Sequence, residues 1–192
     1  MSKRKRIFVR EHVRRFRGRN IVVRSHFRKM TSRQRRERLS IARRDGIEAE
    51  KMIQYYFQKR GLNVRNIASE DINSAGDLIV SDETGKKWLI EVKKINEWEQ
   101  VDLNHRRKGR IQVNKFEHNR MIANSRLMGA KPLYVVVVKH DDGRTSIKYL
   151  SSKKVSEYIE NKNYSDVKIP YSLLASEDFS FEKFCSGRKG KK

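Results

Sequence analysis

A chain of 192 residues can hold one well-buried domain with about 40 to 50 residues left over as an appendage. Its formal net charge of +23 and pI near 10.4 are far from the near-neutral balance of an ordinary soluble protein and point to a polyanionic partner, nucleic acid first. No run approaches the roughly 18 to 20 apolar residues needed to span a bilayer, the first residues are charged where a signal peptide turns apolar, and the single Cys185 excludes an internal disulfide and a zinc finger. The expectation is an intracellular protein, cytoplasmic or nucleoid-associated, with no membrane partner.

Charge divides the chain near residue 44. Residues 1–44 carry 18 Lys/Arg against Glu11 and Glu37, a net of +16, which leaves +7 for the other 148 residues. Apolar side chains sit among the arginines of this arm (Ile7, Phe8, Val13, Phe16, Ile21, Val22, Val23, Phe27), a pattern that suggests short strands or a hairpin around Arg17-Gly18-Arg19-Asn20. Thr31, three residues before Gln34, is a capping pair that opens a basic helix through about Arg44. Whether that helix continues into the next is open. Arg14, Arg15, Arg17, Arg19, Arg24, Arg28, Arg35 and Arg36 are the candidate phosphate contacts of the arm.

From Asp45 the composition is that of a globular domain, expected over residues 45–180 with a basic tail over 181–192. A helix from about Gly46 to Arg60 stops at Gly61. Leu62–Ile67 has weak alternation, and Gly76–Val80 and Trp88–Lys93 are firmer strands, joined through Asp82-Glu83-Thr84-Gly85 as a hairpin. A polar, basic stretch over residues 104–110 adds Arg106, Arg107, Lys108 and Arg110 to the candidate nucleic-acid contacts. A helix over about Asn114–Leu127 ends at Gly129, and the apolar run Leu133–Val138 reads as a central strand covered on both faces. A strand near Ser146–Leu150 and a short helix near Lys154–Glu160 complete the core.

Three charged residues in the two pairing strands carry the chemistry. The pleat puts Glu91 and Lys93 on one face of their strand, with Ile90 and Val92 on the other. A turn centred on Thr84 places Asp77 opposite Glu91 on that face. Two close carboxylates repel unless a cation sits between them, and oxygen ligands at this density suit Mg²⁺, with Mn²⁺ as a substitute, rather than zinc. On the preceding helix a turn of about 100° per residue groups Glu50 with Gly46, Ile53 and Phe57 on one face. A carboxylate there needs a partner, with Glu48 the rival if the helix is rotated. The competing reading of Asp77, Glu91 and Lys93 is an exposed cross-strand salt bridge of small energetic value. His12, His26, His105, His118 and His140 lack paired ligand spacing and read as surface or DNA-contact residues. Trp88, Tyr55, Tyr56 and Phe57 read as core or helix-packing residues.

Gly46-Ile47-Glu48-Ala49-Glu50, then Gly76-Asp77, then Glu91-Val92-Lys93, in this order and spacing, resembles the PD-(D/E)xK nuclease superfamily over about residues 45–140. The Gly-x-x-Ala-Glu helix is most similar to that of the archaeal-type Holliday junction resolvases. Gly76 stands where the pattern has Pro. The resemblance implies an α/β fold of the restriction-endonuclease kind, a mixed β-sheet flanked by helices. It implies Asp77, Glu91 and the backbone carbonyl of Val92 as metal ligands, Glu50 as a further ligand directly or through water, and Lys93 as the group that orients or activates the attacking water. Lys94, Lys115 and Glu117 would lie near the active face. The function implied is Mg²⁺-dependent hydrolysis of DNA, plausibly branched DNA, by a homodimer. A restriction-like, viral or mobile-element nuclease and a DNA-binding protein that has lost the reaction are the alternatives.

Overall fold

A computed structural model describes residues 6–9, 12–16, 19–23, 26–29, 31–69, 76–101, 105–160 and 162–175; before residue 31 it describes backbone alone. Arg17, Arg24 and the 181–192 tail therefore lie outside the described residues, as do the side chains of Arg14, Arg15, Arg19, Arg28 and Arg35.

In the arm, β1 (Arg6–Val9) pairs antiparallel with β4 (His26–Lys29), and β2 (His12–Phe16) pairs with β3 (Arg19–Val23). The second pair is the hairpin expected about residues 17–20. One helix, α1 (Ser32–Gln58), follows, so the basic helix does continue into the next, the point that the sequence leaves open. Its N-terminus is the Thr31–Gln34 capping box, with both reciprocal bonds present at 3.2 and 3.1 Å. Gly46 does not interrupt it, because an isolated glycine costs a helix only about 1 kcal/mol. Gly61, at φ +76°, ends it as expected.

The strands β5 (Asn63–Asn66), β6 (Leu78–Ser81), β7 (Lys87–Asn96), β11 (Ala130–Lys139) and β12 (Thr145–Ser151) form a mixed sheet in the order β12-β11-β7-β6-β5. Only β7 and β11 run parallel, and the other neighbours are antiparallel. These two central strands carry the longest apolar runs, as strands covered on both faces should. The period of two splits the core cleanly. On one face Ala49, Ile53 and Phe57 of α1 pack on Leu78, Val80, Trp88, Ile90, Val92 and Val135. On the other, Leu89, Ile95, Tyr134, Val136 and Val138 meet Met121 of α2 (Lys115–Leu127), Val155 and Ile159 of α3 (Ser152–Glu160), and two further strands. Fully buried side chains of this kind contribute about 1.5–3 kcal/mol each, so Phe57 alone is a large share of what holds α1 to the sheet.

The basic stretch after β7 is more ordered than its sequence suggests. β8 (Trp98–Gln100) pairs with β9 (Arg106–Lys108), and β10 (Arg110–Asn114) pairs with the distant β13 (Asp166–Pro170), which leads into α4 (Tyr171–Ala175). Gly109 permits this, since a Cβ there would stand 2.0 Å from the Asn96 carbonyl oxygen. Charge density hid β9 in the sequence, and the partner of β10 lies more than fifty residues downstream. Among the described residues no helix is long and apolar enough to cross a membrane.

Candidate metal centre and its surroundings

The β6–β7 register runs Leu78 opposite Ile90 through Ser81 opposite Lys87, so its continuation places Asp77 opposite Glu91, with the turn centred on Thr84 as expected. Asp77 is fixed at four points. Its amide donates to the Ile90 carbonyl at 2.8 Å, its carbonyl accepts from the Ile67 and Ala68 amides at 3.0 and 3.2 Å, and its Oδ2 accepts from the Val92 amide at 2.7 Å. Gly76 reaches this position at φ +115°, where an added Cβ would meet Leu89 Cδ1 at 3.0 Å. Proline, held near φ −65°, does not fit that backbone, which explains the glycine in place of the pattern's Pro.

On β7, Lys93 Nζ donates to Glu91 Oε1 at 2.6 Å. Burial works against the Lys93 ammonium, but the bonded Glu91 carboxylate, with Asp77 and Glu117 beyond it, raises its pKa above the usual lysine value. Lys93 is therefore a fixed positive charge at neutral pH. Asp77 is pushed up to about 7 by burial first and by the Glu91 and Glu50 carboxylates, against the Val92 amide and Lys93, which lower it. Glu50, half-buried on α1, is raised by burial and by Glu91, while a hydrogen bond from the Asn66 side chain lowers it.

Three neighbouring carboxylates carry more negative charge than one ammonium offsets, and a hard divalent cation with oxygen ligands answers that imbalance. The donor set thus fits Mg²⁺ or Mn²⁺ in its chemistry. Among the described residues, however, no three His, Cys, Asp or Glu side chains are gathered closely enough to hold a metal ion by themselves. Asp77 and Glu91 would need main-chain or water oxygens beside them. The Val92 amide is engaged by Asp77, which places the Val92 peptide at the centre of the group.

The rival carboxylate Glu48 points away: Lys94 Nζ lies 3.0 Å from Asp45 Oδ1 and 3.5 Å from Glu48 Oε2. Lys94 thus sits on the α1 side of the sheet, as the pleat requires for the neighbour of Lys93, and not with Glu91. Lys115 Nζ donates to the Lys162 carbonyl. Glu117 does lie at the site, lining with Glu91, Lys93, Asn114 and Tyr134 a small cavity at the N-terminal end of α2.

Two histidines depart from the surface reading. His118 is 1% exposed, with Nδ1 2.9 Å from Tyr134 Oη and Nε2 2.9 Å from Ser156 Oγ. Its spacing of three from Met121 and seven from Ser125, both buried on α2, is the signal that would have found it. His140 is half-buried between Glu97 Oε2 at 2.7 Å and Ser146 Oγ at 2.8 Å. Trp88 and Phe57 are fully buried, as expected, Tyr56 is half-buried and Tyr55 is exposed.

Of the candidate nucleic-acid contacts, Arg36 is exposed on α1. Arg106 pairs with Asp141 at 2.5 Å, Arg107 is bonded twice to Glu99 Oε2 at 2.9 and 3.0 Å, and Lys108 bonds Glu97 at 2.7 Å while standing 4.1 Å from the Trp98 ring centroid. Arg110 is half-buried, with its Nε enclosed and without a hydrogen bond. The β8–β9 hairpin therefore offers cations already matched to carboxylates.

No protein-family model matches the chain. No curated protein matches it closely enough to count as a relative. Among solved structures the chain is similar to the 1.6 Å structure of Archaeoglobus fulgidus Hjc, a Holliday junction resolvase from an archaeal hyperthermophile, at 14% identity and a TM-score of 0.49, covering 76% of this chain and 99% of that one.

Proposed function

We propose that this chain is a metal-dependent DNA endonuclease, hydrolysing phosphodiester bonds at Asp77, Glu91 and Lys93, with branched DNA as a plausible substrate. The observation that carries the reading is the meeting of these three side chains on adjacent strands, with Asp77 driven up to about 7 by burial and then by its carboxylate neighbours. A salt bridge built only for stability would not need two further carboxylates beside a buried aspartate.

Asp77, Glu91 and the Val92 carbonyl, with Glu50 directly or through water, would hold Mg²⁺ or Mn²⁺, which when bound supplies charge to the phosphate oxygens and lowers the pKa of a water. Lys93, protonated at neutral pH, stabilises the negative charge that grows on the phosphate as water attacks. It does not act as the base. The water oxygen bonds to phosphorus as the ester bond to the leaving sugar oxygen breaks; the water's proton is lost to solvent, and the leaving oxygen regains one there. The arm over residues 1–44, with its net +16, would hold backbone phosphates without choosing sequence, and the domain over 45–180 would cut. Symmetric cutting of a four-way junction needs a second active site, which a second copy of the chain would supply.

The test is cleavage of labelled four-way, splayed, linear duplex and single-stranded DNA with Mg²⁺, Mn²⁺ or EDTA, using wild type, Asp77→Ala, Glu91→Ala and Lys93→Ala. Metal-dependent cutting by wild type alone, with binding kept by all four, is the expected result. Cutting confined to the four-way substrate marks a resolvase, and cutting of linear or single strands marks a broader nuclease. Binding of every substrate with no cutting by wild type leaves a DNA-binding protein.

A further inference from the structure

Tyr134 forms one wall of the cavity shared by Glu91, Lys93, Asn114 and Glu117. It stands on β11 in register with Glu91 of β7, one strand away. Its ring is 2% exposed and stacks on His118 with centroids 5.9 Å apart and planes at 22°. From Tyr134 a hydrogen-bonded chain runs through His118 to the half-buried Ser156 of α3.

The protons of that chain have one consistent direction. The Ser156 hydroxyl has a single proton, and the Ser152 carbonyl 3.1 Å away accepts it. Ser156 Oγ is then an acceptor toward His118, so His118 carries its proton on Nε2 and presents a bare Nδ1. Tyr134 must donate its only proton to that Nδ1. What remains on Tyr134 Oη are lone pairs, so toward any further group this oxygen accepts and cannot donate. Burying a histidine and a phenol in this way costs desolvation that apolar side chains of the same volume would avoid, and the chain ends beside Glu91 and Lys93.

We propose that Tyr134 is a positioning residue for the hydrolysis: its oxygen accepts a hydrogen bond from one water seated in the cavity, and that water holds the Lys93 ammonium in its aim at the phosphate. The cavity has room for about one water, and Glu91, Lys93, Asn114 and Glu117 supply the further polar partners that a buried water needs. Lys93 now spends one of its protons on Glu91. Its other two donors need fixed acceptors if the ammonium is to keep one direction, and an acceptor-only oxygen cannot compete with it for the same lone pairs. The assignment rests on the nuclease reading of the site.

The experiment compares the full-length protein with Tyr134→Phe, which keeps the ring and removes the oxygen, on whichever DNA the wild type cuts. Expected is a fall in kcat on the order of tenfold or more, with KM for DNA and the Mg²⁺ concentration at half-activity unchanged and Tm lowered by no more than the lost His118 hydrogen bond accounts for. An unchanged kcat with a lowered Tm overturns the proposal and leaves Tyr134 as packing. A second readout needs no activity: nitrogen NMR of His118 in the wild type should show the Nε2–H tautomer with Nδ1 accepting. The Nδ1–H tautomer also overturns the proposal, because Tyr134 would then turn its proton to the cavity. If wild type cuts no DNA with either metal, the nuclease reading fails and this role fails with it. Cutting by wild type and Tyr134→Phe alike removes the Tyr134 role and leaves the nuclease standing.

Discussion

Asp77 Oδ2 accepts a 2.7 Å hydrogen bond from the amide of Val92, the residue between Glu91 and Lys93. The main chain of β7 thus sets the position of a carboxylate from the neighbouring strand. It does so at an electrostatic cost, because burial and the Glu91 and Glu50 carboxylates push Asp77 up to about 7. A folded-state value above the ordinary carboxyl value means that the fold prefers the protonated acid. Stability is then lost as pH rises from the ordinary value toward 7, where the carboxylate charges in place. Asp77→Asn keeps an acceptor for the Val92 amide and removes the charge. Without divalent metal it should be more stable than wild type at pH 8 by about 1–3 kcal/mol, with the difference gone near pH 4. It should also cut nothing. Equal stability at pH 8 in denaturant titrations would show that the aspartate is not under electrostatic load.

The same crowding makes a stabilising effect of divalent cation the expected behaviour of wild type. Millimolar Mg²⁺ or Mn²⁺ should raise its Tm by several degrees through binding to the folded state alone. Glu91→Ala removes one of the proposed ligands and should abolish the rise, and matched ionic strength from NaCl should not reproduce it. Differential scanning calorimetry reads all three. A rise that persists in Glu91→Ala would place the cation elsewhere.

Acid should weaken the fold through His118. Burial lowers its pKa, so the folded state resists the proton that the unfolded chain accepts. The stability associated with the neutral ring is complete above the ordinary histidine value and is lost as pH falls through the lowered folded one. His118→Gln should be less stable than wild type at pH 8, by about 1–3 kcal/mol for the lost hydrogen bonds, yet show a shallower decline between pH 7 and 5. Parallel slopes in urea titrations would mean that other groups carry the acid response.

Glu99 holds Arg107 through two hydrogen bonds to one carboxylate oxygen. Surface pairs of this kind are worth only about 0–1 kcal/mol, so a phosphate can displace the carboxylate. Glu99→Gln should tighten DNA binding roughly 2- to 5-fold at low salt and steepen the salt dependence by about one ion. Fluorescence anisotropy over a salt series measures both. No change in either would remove Arg107 from the contact surface.

Much of this architecture is written in local pattern. The alternation through Trp88–Lys93 and the turn at Thr84 give the β6–β7 register, and with it the meeting of Asp77 and Glu91. The helical face of Ile53 and Phe57 separates Glu50 from Glu48. What escaped was long-range or masked by charge. β10 finds its partner β13 across the whole of α2, β11, β12 and α3, and no local periodicity announces such a pairing. The arginines of β9 read as free cations because their carboxylate partners come from β8 and from Asp141 after β11. The distance in sequence of His118 from other histidines says nothing of its decisive neighbours, Tyr134 and Ser156, which come from a strand and a helix far along the chain.

α1 passes from the basic segment into the core without a break, and its buried side chains, Ala49, Ile53 and Phe57, all lie toward its C-terminal end. A helix rises about 1.5 Å per residue, so Ser32 stands about 27 Å along the axis from Glu50. The span equals about eight base-pair steps of duplex. Charge at the outer end and Glu50 toward the inner end are therefore joined by a rod and not a tether. On the proposed reading, such a rod would act as a gauge, fixing the interval between where a strand is gripped and where it is cut.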